Sequence, residues 1–373
     1  MFEKNSHKFF TPASNNKLLT LYTALCYLPD SLPSYRYLES GDTLFIKGMG
    51  DPTLLHELWP DHAGLKRMRD VRYIVLYPGR LSDQRWGDGW AWDDILEDYQ
   101  PEKSALPLYS NLLKIHPQEK SFTITPSYFN SSTHVLTGIK SASRESSQNV
   151  FSISKSLPHE LYIPFTTEDE TITALLQDTL HIQVSMMTNA KSMDSLSWKM
   201  QYGVQNDSVF SQMMKVSDNF IAEQLLLLSY AYLTDTLNTS KMIAKAKSGL
   251  FQNLPDAFQW VDGSGLSRYN LITPANIIMV LDMIKSKIGF DRIKAIFPAG
   301  GISGTLKNSY RSDTPYVWAK TGSLSNNQSL SGYIQTHSGR VILFSFMHSN
   351  YITSNAMIRN EMQKVLEYVR DRY

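Results

Sequence analysis

The chain has 373 residues, 42% of them hydrophobic and 19% charged, enough for two or three domains with substantial cores. A net charge of +1 points to neither a nucleic-acid nor a membrane-surface partner. Cys26 is the only cysteine, which excludes an intrachain disulfide and a cysteine metal cluster, and no apolar run is long enough to span a bilayer.

The first ten residues, MFEKNSHKFF, lack the apolar h-region of a signal peptide, so the chain is read either as cytosolic or as trimmed of its leader. Thr11 to Lys17 reads TPASNNK and leads into an apolar run, Leu18 to Leu28, which Pro29 stops. The run is apolar on nearly every side, as expected of a helix at the centre of a domain. Ser14 and Lys17, three residues apart, share one face of its start, so Oγ and Nζ can meet. The positive end of the helix dipole there favours a developing negative charge, which makes Ser14 a candidate nucleophile. From Gly41 to Phe165 short β-like segments such as DTLFIKG, RYIVLYPG and NVFSISK alternate with turn residues, and the serine-rich run Ser127 to Gln148 reads as a mobile loop or hairpin tip. Helical patterns follow at Thr171 to Leu180, at Ser208 to Leu233 and, opened by Thr273 and Pro274, at Thr273 to Ile288. Strands are expected at Val317–Ser323, Ser329–His337 and Arg340–His348, with a tight turn at Ser338-Gly339 and a closing amphipathic helix from Ala356. The expected organisation is therefore one domain from residues 1–40 and 166–373, interrupted by a mostly β insert at 41–165 that forms one or two small domains.

Three short motifs occur in order: Ser14-x-x-Lys17, Ser217-Asp218-Asn219 and Lys320-Thr321-Gly322. The set is similar to that of serine acyl-transfer enzymes, the penicillin-binding proteins and class A β-lactamases. Each part has a physical task. A hydroxyl is a poor nucleophile until a base takes its proton. Lys17 can be that base only if neutral, which at neutral pH requires its pKa to fall by roughly three units, or about 4 kcal/mol. Burial and the neighbouring cation of Lys320 are both expected to push it down. Ser217 can pass a proton to the leaving amine, and Asn219 can hold Lys17 and a substrate amide in register. Lys320 and Thr321 would receive a terminal carboxylate on an edge strand, where Gly322 lets a substrate backbone approach. The backbone N–H groups of Ser14 and Ser323 would form the oxyanion hole, each donor contributing about 3 kcal/mol in the transition state.

The chain resembles the class C low-molecular-mass penicillin-binding proteins, the serine D-alanyl-D-alanine carboxypeptidase/endopeptidase family. The likeness extends to PASNNKL, KGMGDPTL, GWAWDD, SDNFIAEQLL, DGSGLSRYN, GGISGTL and KTGSLSNNQSLSGY, and so covers most of the chain. It implies an α+β fold with a central antiparallel sheet flanked by helices, a large insert between the first two motifs, and no cofactor. The implied activity is hydrolysis of D-Ala-D-Ala ends, of D-Ala-diamino acid cross-links, or of both, in peptidoglycan, through an acyl-enzyme on Ser14. The implied setting is the periplasm or cell envelope, with stem peptides as substrates and β-lactams as covalent inhibitors. By the same resemblance Asp94, beside Asp93, would meet the free amine of a diaminopimelate-like side chain, and Arg268 and Ser325 its carboxylate. A β-lactamase of the same fold and a non-catalytic muropeptide-binding protein are the alternatives. Two departures stand out: Ser14 lies so close to Met1 that the helix and first strand expected before it are missing, leaving either the sheet one edge short or the chain trimmed, and Ser303 stands in GGISGTL where the family often has an acid.

Other residues have plainer readings. Glu223, one turn after Asn219, is expected at a helix surface or in packing. Trp86, Trp90 and Trp92 would wall the groove or pack in the core or between domains. Asp262 and Ser264, set among glycines, read as a turn. His56-Glu57 and His159-Glu160 lack the second histidine of a zinc peptidase, and neither a Gly-x-Ser-x-Gly elbow nor a P-loop lysine occurs.

Overall fold

Leu18, Leu19, Leu21, Ala24 and Leu25 leave little polar surface on the helix that follows Ser14, and α1 (Lys17–Tyr27) runs through the main core. The computed structural model describes residues 2–373 apart from Asp61, Gly79, Lys120, Lys140 and Asn189. Gly79, which ends the RYIVLYPG segment, and Lys140, within the 127–148 run, thus lie outside the described residues.

Beyond α1 the chain enters a sheet. Ser31–Ser40 pairs antiparallel with Thr43–Gly48 on one side and Lys199–Gln205 on the other, and Tyr73–Leu76 and Gln183–Met186 extend the sheet in parallel. The helices α2 (Ala63–Arg69) and α3 (Asp169–Leu180) supply Leu65, Met68, Ile172, Leu175 and Leu176 to a second core that spans Tyr35 to Val184. This packing reaches beyond 41–165 on both sides. The reason is the strand Ser31–Ser40: its alternation is broken in sequence by Pro33, which sits between two register shifts in the ladder to Lys199–Gln205. Leu112–Pro117 pairs with Phe122–Thr125 and with Leu161–Pro164. The serine-rich run is more structured than a loop: Ser127–Ser132 forms a 3₁₀ turn, and Thr133–Leu136 and Ala142–Arg144 flank Phe151–Ser154.

The chain then returns to the main core. The single helix expected over Ser208–Leu233 is two, α4 (Asn206–Lys215) and α5 (Asn219–Thr234), broken at the second motif. Ser217 takes the left-handed conformation (φ 65°), and Asp218 caps α5 by accepting from Ile221 N at 2.9 Å. Leu225 to Leu228 are fully buried on α5, each contributing about 2 kcal/mol, so the helix is fixed and the break sits at a defined place. After α6 (Thr239–Ser248) comes α7 (Pro274–Ile296), capped by Thr273 and continuing past Ile288 through a bend at Gly289 (φ 72°). Val317–Leu324, Asn327–Gln335 and Val341–Ser349 form an antiparallel sheet. Trp318, Tyr333 and Met347 join the main core, while Val317, Ala319, Leu330 and Phe344 pack with Met362 and Leu366 of α8 (Asn355–Arg372). The fold is the expected mixture of helices flanking sheets. Among the described residues no helix is long and apolar enough to cross a membrane.

Candidate active site

Ser14 lies in the 3₁₀ turn Ala13–Asn16 that opens α1, where first-turn N–H groups have no intrahelical acceptor. Ala13 is held left-handed (φ 49°), strain of the kind that collects at functional sites. Lys17 is wholly buried, and its Nζ lies 3.0 Å from Ser14 Oγ, 2.6 Å from Asn219 Oδ1 and 2.7 Å from the Ser264 carbonyl oxygen. The last two oxygens only accept. An ammonium meets all three oxygens with its hydrogens; a neutral amine meets the last two with its two hydrogens and turns its lone pair to the serine hydroxyl. Burial lowers the Lys17 pKa from 10.5 to about 8, while Asp262, Asp218 and Glu223 pull it back up. At pH 7 that shift raises the neutral fraction from about 0.03% to about 10%. Lys320 is not the cation expected to help: burial, and then Lys17 itself, push Lys320 well below its ordinary value.

The DGSG segment is the turn expected, and it is built into the site. Its successive carbonyls at Asp262, Gly263 and Ser264 accept from Asn16 Nδ2 (2.5 Å), Thr20 Oγ1 (2.7 Å) and Lys17 Nζ (2.7 Å), at the start of α1 and the last residue of the turn before it. Close approach explains its glycines. A Cβ on Gly265 (φ 85°) would lie 1.9 Å from the Ala13 oxygen, and one on Gly263 2.7 Å from the Ala222 oxygen. The Asp262 carboxylate, fully buried, accepts from Gly265 N, Ser267 N, Asn270 Nδ2 and Trp90 Nε1 at 2.7–2.9 Å. Glu223 is also buried (1% exposed) and not on a surface; its Oε1 accepts from Ser264 N at 2.7 Å.

The third motif closes the other side. Lys320, wholly buried, donates from Nζ to Ser217 Oγ and to the Thr321 carbonyl, both at 2.8 Å. Asn15 Nδ2 donates to the Lys320 carbonyl at 3.1 Å, and a Cβ on Gly322 would meet the Pro12 oxygen at 2.7 Å, so strand and nucleophile turn touch. On the edge of this strand away from Asn327–Gln335, Gly300 N donates to the Val317 carbonyl and Ala319 N to that of Pro298. Backbone groups alternate along a strand, so the N–H groups of Thr321 and Ser323 point off the same edge. Thr321 Oγ1 lies 2.9 Å from Thr305 Oγ1, which ties the GGISGTL loop to the motif; Ser303 turns inward and accepts from Ala299 N.

The remaining sequence candidates sit at the rim. Arg268 Nη2 donates to the Ser325 carbonyl at 3.2 Å, bringing these two exposed residues together. Asp94, half-buried in the turn Trp92–Asp94, lies near the Tyr99 hydroxyl, whose pKa is raised by burial and then by Asp94. Tyr99 in turn accepts from Asn219 Nδ2 through its carbonyl at 3.0 Å. Of the tryptophans, Trp90 binds Asp262, whereas Trp92 is 84% exposed. Sequence reasoning missed the contributions of Ser264, Tyr99 and Asn15. The first two act through backbone carbonyls, which no side-chain pattern reveals; Asn15 is signalled only by its place inside PASNNK.

A family model described as D-Ala-D-Ala carboxypeptidase 3 (S13) matches residues 1–371. The D-alanyl-D-alanine carboxypeptidase DacB of Haemophilus influenzae is 24% identical, with 99% of this chain and 86% of that protein covered. The penicillin-sensitive carboxypeptidase A of Dictyostelium discoideum is 23% identical, covering 90% and 76%. Among solved structures, penicillin binding protein 4 (dacB) of Haemophilus influenzae has a TM-score of 0.78 at 20% identity, covering all of this chain and 93% of that one.

Proposed function

The chain belongs to the D-Ala-D-Ala carboxypeptidase 3 (S13) family, serine peptidases of the cell wall, and on that premise we propose that Ser14 is its nucleophile and Lys17 the base that activates it. The observation that carries this reading is the triple contact of Lys17 Nζ with Ser14 Oγ, Asn219 Oδ1 and the Ser264 carbonyl, which places the buried amine against the hydroxyl whose proton it would take. In the proposed step the Ser14 hydroxyl proton passes to Lys17 Nζ as Oγ bonds to the carbonyl carbon of the penultimate D-Ala. The oxyanion that forms is met by the N–H groups of Ser14 and Ser323. The proton travels through Ser217, which Lys320 holds, to the leaving nitrogen, and the C–N bond breaks. Water then adds to the acyl-enzyme by the reverse relay and frees Ser14. The leaving residue's carboxylate binds Lys320 and Thr321; its charge restores the proton that burial draws from Lys320.

Peptidoglycan stem peptides are the proposed substrates, laid as an extended strand along Thr321–Ser323. Asp94 is assigned to a free amine on the substrate side chain and Arg268 with Ser325 to its carboxylate; the Arg268–Ser325 contact supports the second assignment. β-Lactams, which present an amide and a carboxylate in like geometry, are proposed to acylate Ser14. The cell envelope is the proposed location, and residues 41–165 with their flanking strands the insert that walls the cleft. Incubation with a stem pentapeptide tests the reading. Release of D-Ala by the wild type and none by Ser14→Ala is expected; release undiminished in Ser14→Ala contradicts it.

A further inference from the structure

Glu223 is a buried carboxylate that the mechanism above does not use. It sits one turn after Asn219 on α5, and its Oε1 takes the Ser264 N–H at 2.7 Å while the Ser264 carbonyl takes Lys17 Nζ at 2.7 Å. One helix therefore fixes both acceptors of the lysine: Asn219 directly, and Ser264 through Glu223. Gly263 lies so close to the Ala222 backbone that a Cβ there would meet the Ala222 oxygen at 2.7 Å, so α5 and the DGSG segment touch beside that hydrogen bond. The other carboxylate oxygen, Oε2, is buried with no partner among the described residues.

We propose that Glu223 is a positioning residue for acyl transfer: it holds the Ser264 carbonyl against Lys17 and couples its own charge to the proton on that amine. The proposal rests on the assignment of Ser14 and Lys17 given above. The charged groups that face it are Asp262 on the DGSG segment, Lys103 on the segment entering the second core and Lys17 on α1; Lys17 in turn faces Asp218 at the α5 cap and Lys320. Burial, followed by Asp262, raises the Glu223 pKa to about 7, while Lys103 and hydrogen bonds from the Gly263–Ser264 segment oppose the rise. An ionised Glu223 holds the proton on Lys17 more firmly. Near neutrality its carboxyl is thus only partly charged, which limits that pull while the contact to Ser264 N stays in place.

Two variants separate position from charge. Glu223→Gln keeps an oxygen facing Ser264 N and removes the negative charge; Glu223→Ala removes both. The readouts are the pH profile of acylation by a fluorescent penicillin and the titration midpoint of Lys17 by NMR of labelled lysine. Glu223→Gln is expected to shift both the Lys17 midpoint and the acid limb to lower pH, with a plateau rate within about threefold of wild type. Glu223→Ala is expected to lower the plateau about tenfold or more, as a freed carbonyl no longer fixes the amine. An unmoved Lys17 midpoint in Glu223→Gln, or equal plateau losses in the two variants, overturns the proposal. Absence of any penicilloyl adduct on the wild type defeats the Ser14 assignment instead, and the NMR midpoint still decides the case of Glu223.

Discussion

Asn219→Asp is nearly isosteric and changes the charge at one point of the network. It turns an amide oxygen 2.6 Å from Lys17 Nζ into part of a carboxylate, and removes the donor to the Tyr99 carbonyl at 3.0 Å. An adjoining carboxylate stabilises the ammonium form and raises a lysine pKa by about 1–3 units. Starting from about 8, Lys17 would then lose its proton only around pH 9–11. The sign follows: a base with a raised pKa stays protonated to higher pH, so the neutral fraction at pH 7 falls from about 10% to about 1% or less. Acylation by a fluorescent penicillin, followed by stopped flow across pH, is expected to drop about 10- to 1000-fold at pH 7 and to recover steeply towards pH 10. Wild-type rates at pH 7, or a loss equal at every pH, would refute the view that Asn219 acts through the charge on Lys17.

Ser217→Gly separates conformation from chemistry. It relieves a left-handed serine, which should raise stability to denaturant by about 1 kcal/mol, and removes the hydroxyl that Lys320 holds, which should cut D-Ala release about 100-fold or more. Gly265→Ala would drive a methyl into the Ala13 oxygen from a backbone at φ 85°, and a loss of about 3 kcal/mol in urea unfolding is expected, with acylation falling alongside.

The parts of this site that could be read in the sequence depend on local periodicity. A three-residue spacing on a helix was enough to put Ser14 beside Lys17, and the hairpin turn at Ser338-Gly339 announced the sheet that carries Lys320. The apolar run after Lys17 marked the central helix for the same reason. The break between α4 and α5 was not legible, because Lys215 to Asn219 contains neither glycine nor proline; the left-handed Ser217 is imposed by what surrounds it. Glu223 reads as a helix-surface or packing residue because nothing near it in sequence offers a partner for a buried carboxylate; the donor that meets it, Ser264 N, lies about 40 residues further on. Ser31–Ser40 was hidden by Pro33, whose place beside a ladder irregularity depends on a partner strand more than 160 residues away. In each case the missing information was a contact distant in sequence, which no local pattern contains.

The central claim is that the hydroxyl at position 14 becomes covalently acylated with an uncharged lysine as its base, and intact-mass analysis with peptide mapping after benzylpenicillin treatment tests it most directly. The account predicts a single penicilloyl group on the peptide containing Ser14, absent from Ser14→Ala and much slower to form on Lys17→Met. An adduct on another residue, or one that forms equally well on Ser14→Ala, would contradict it.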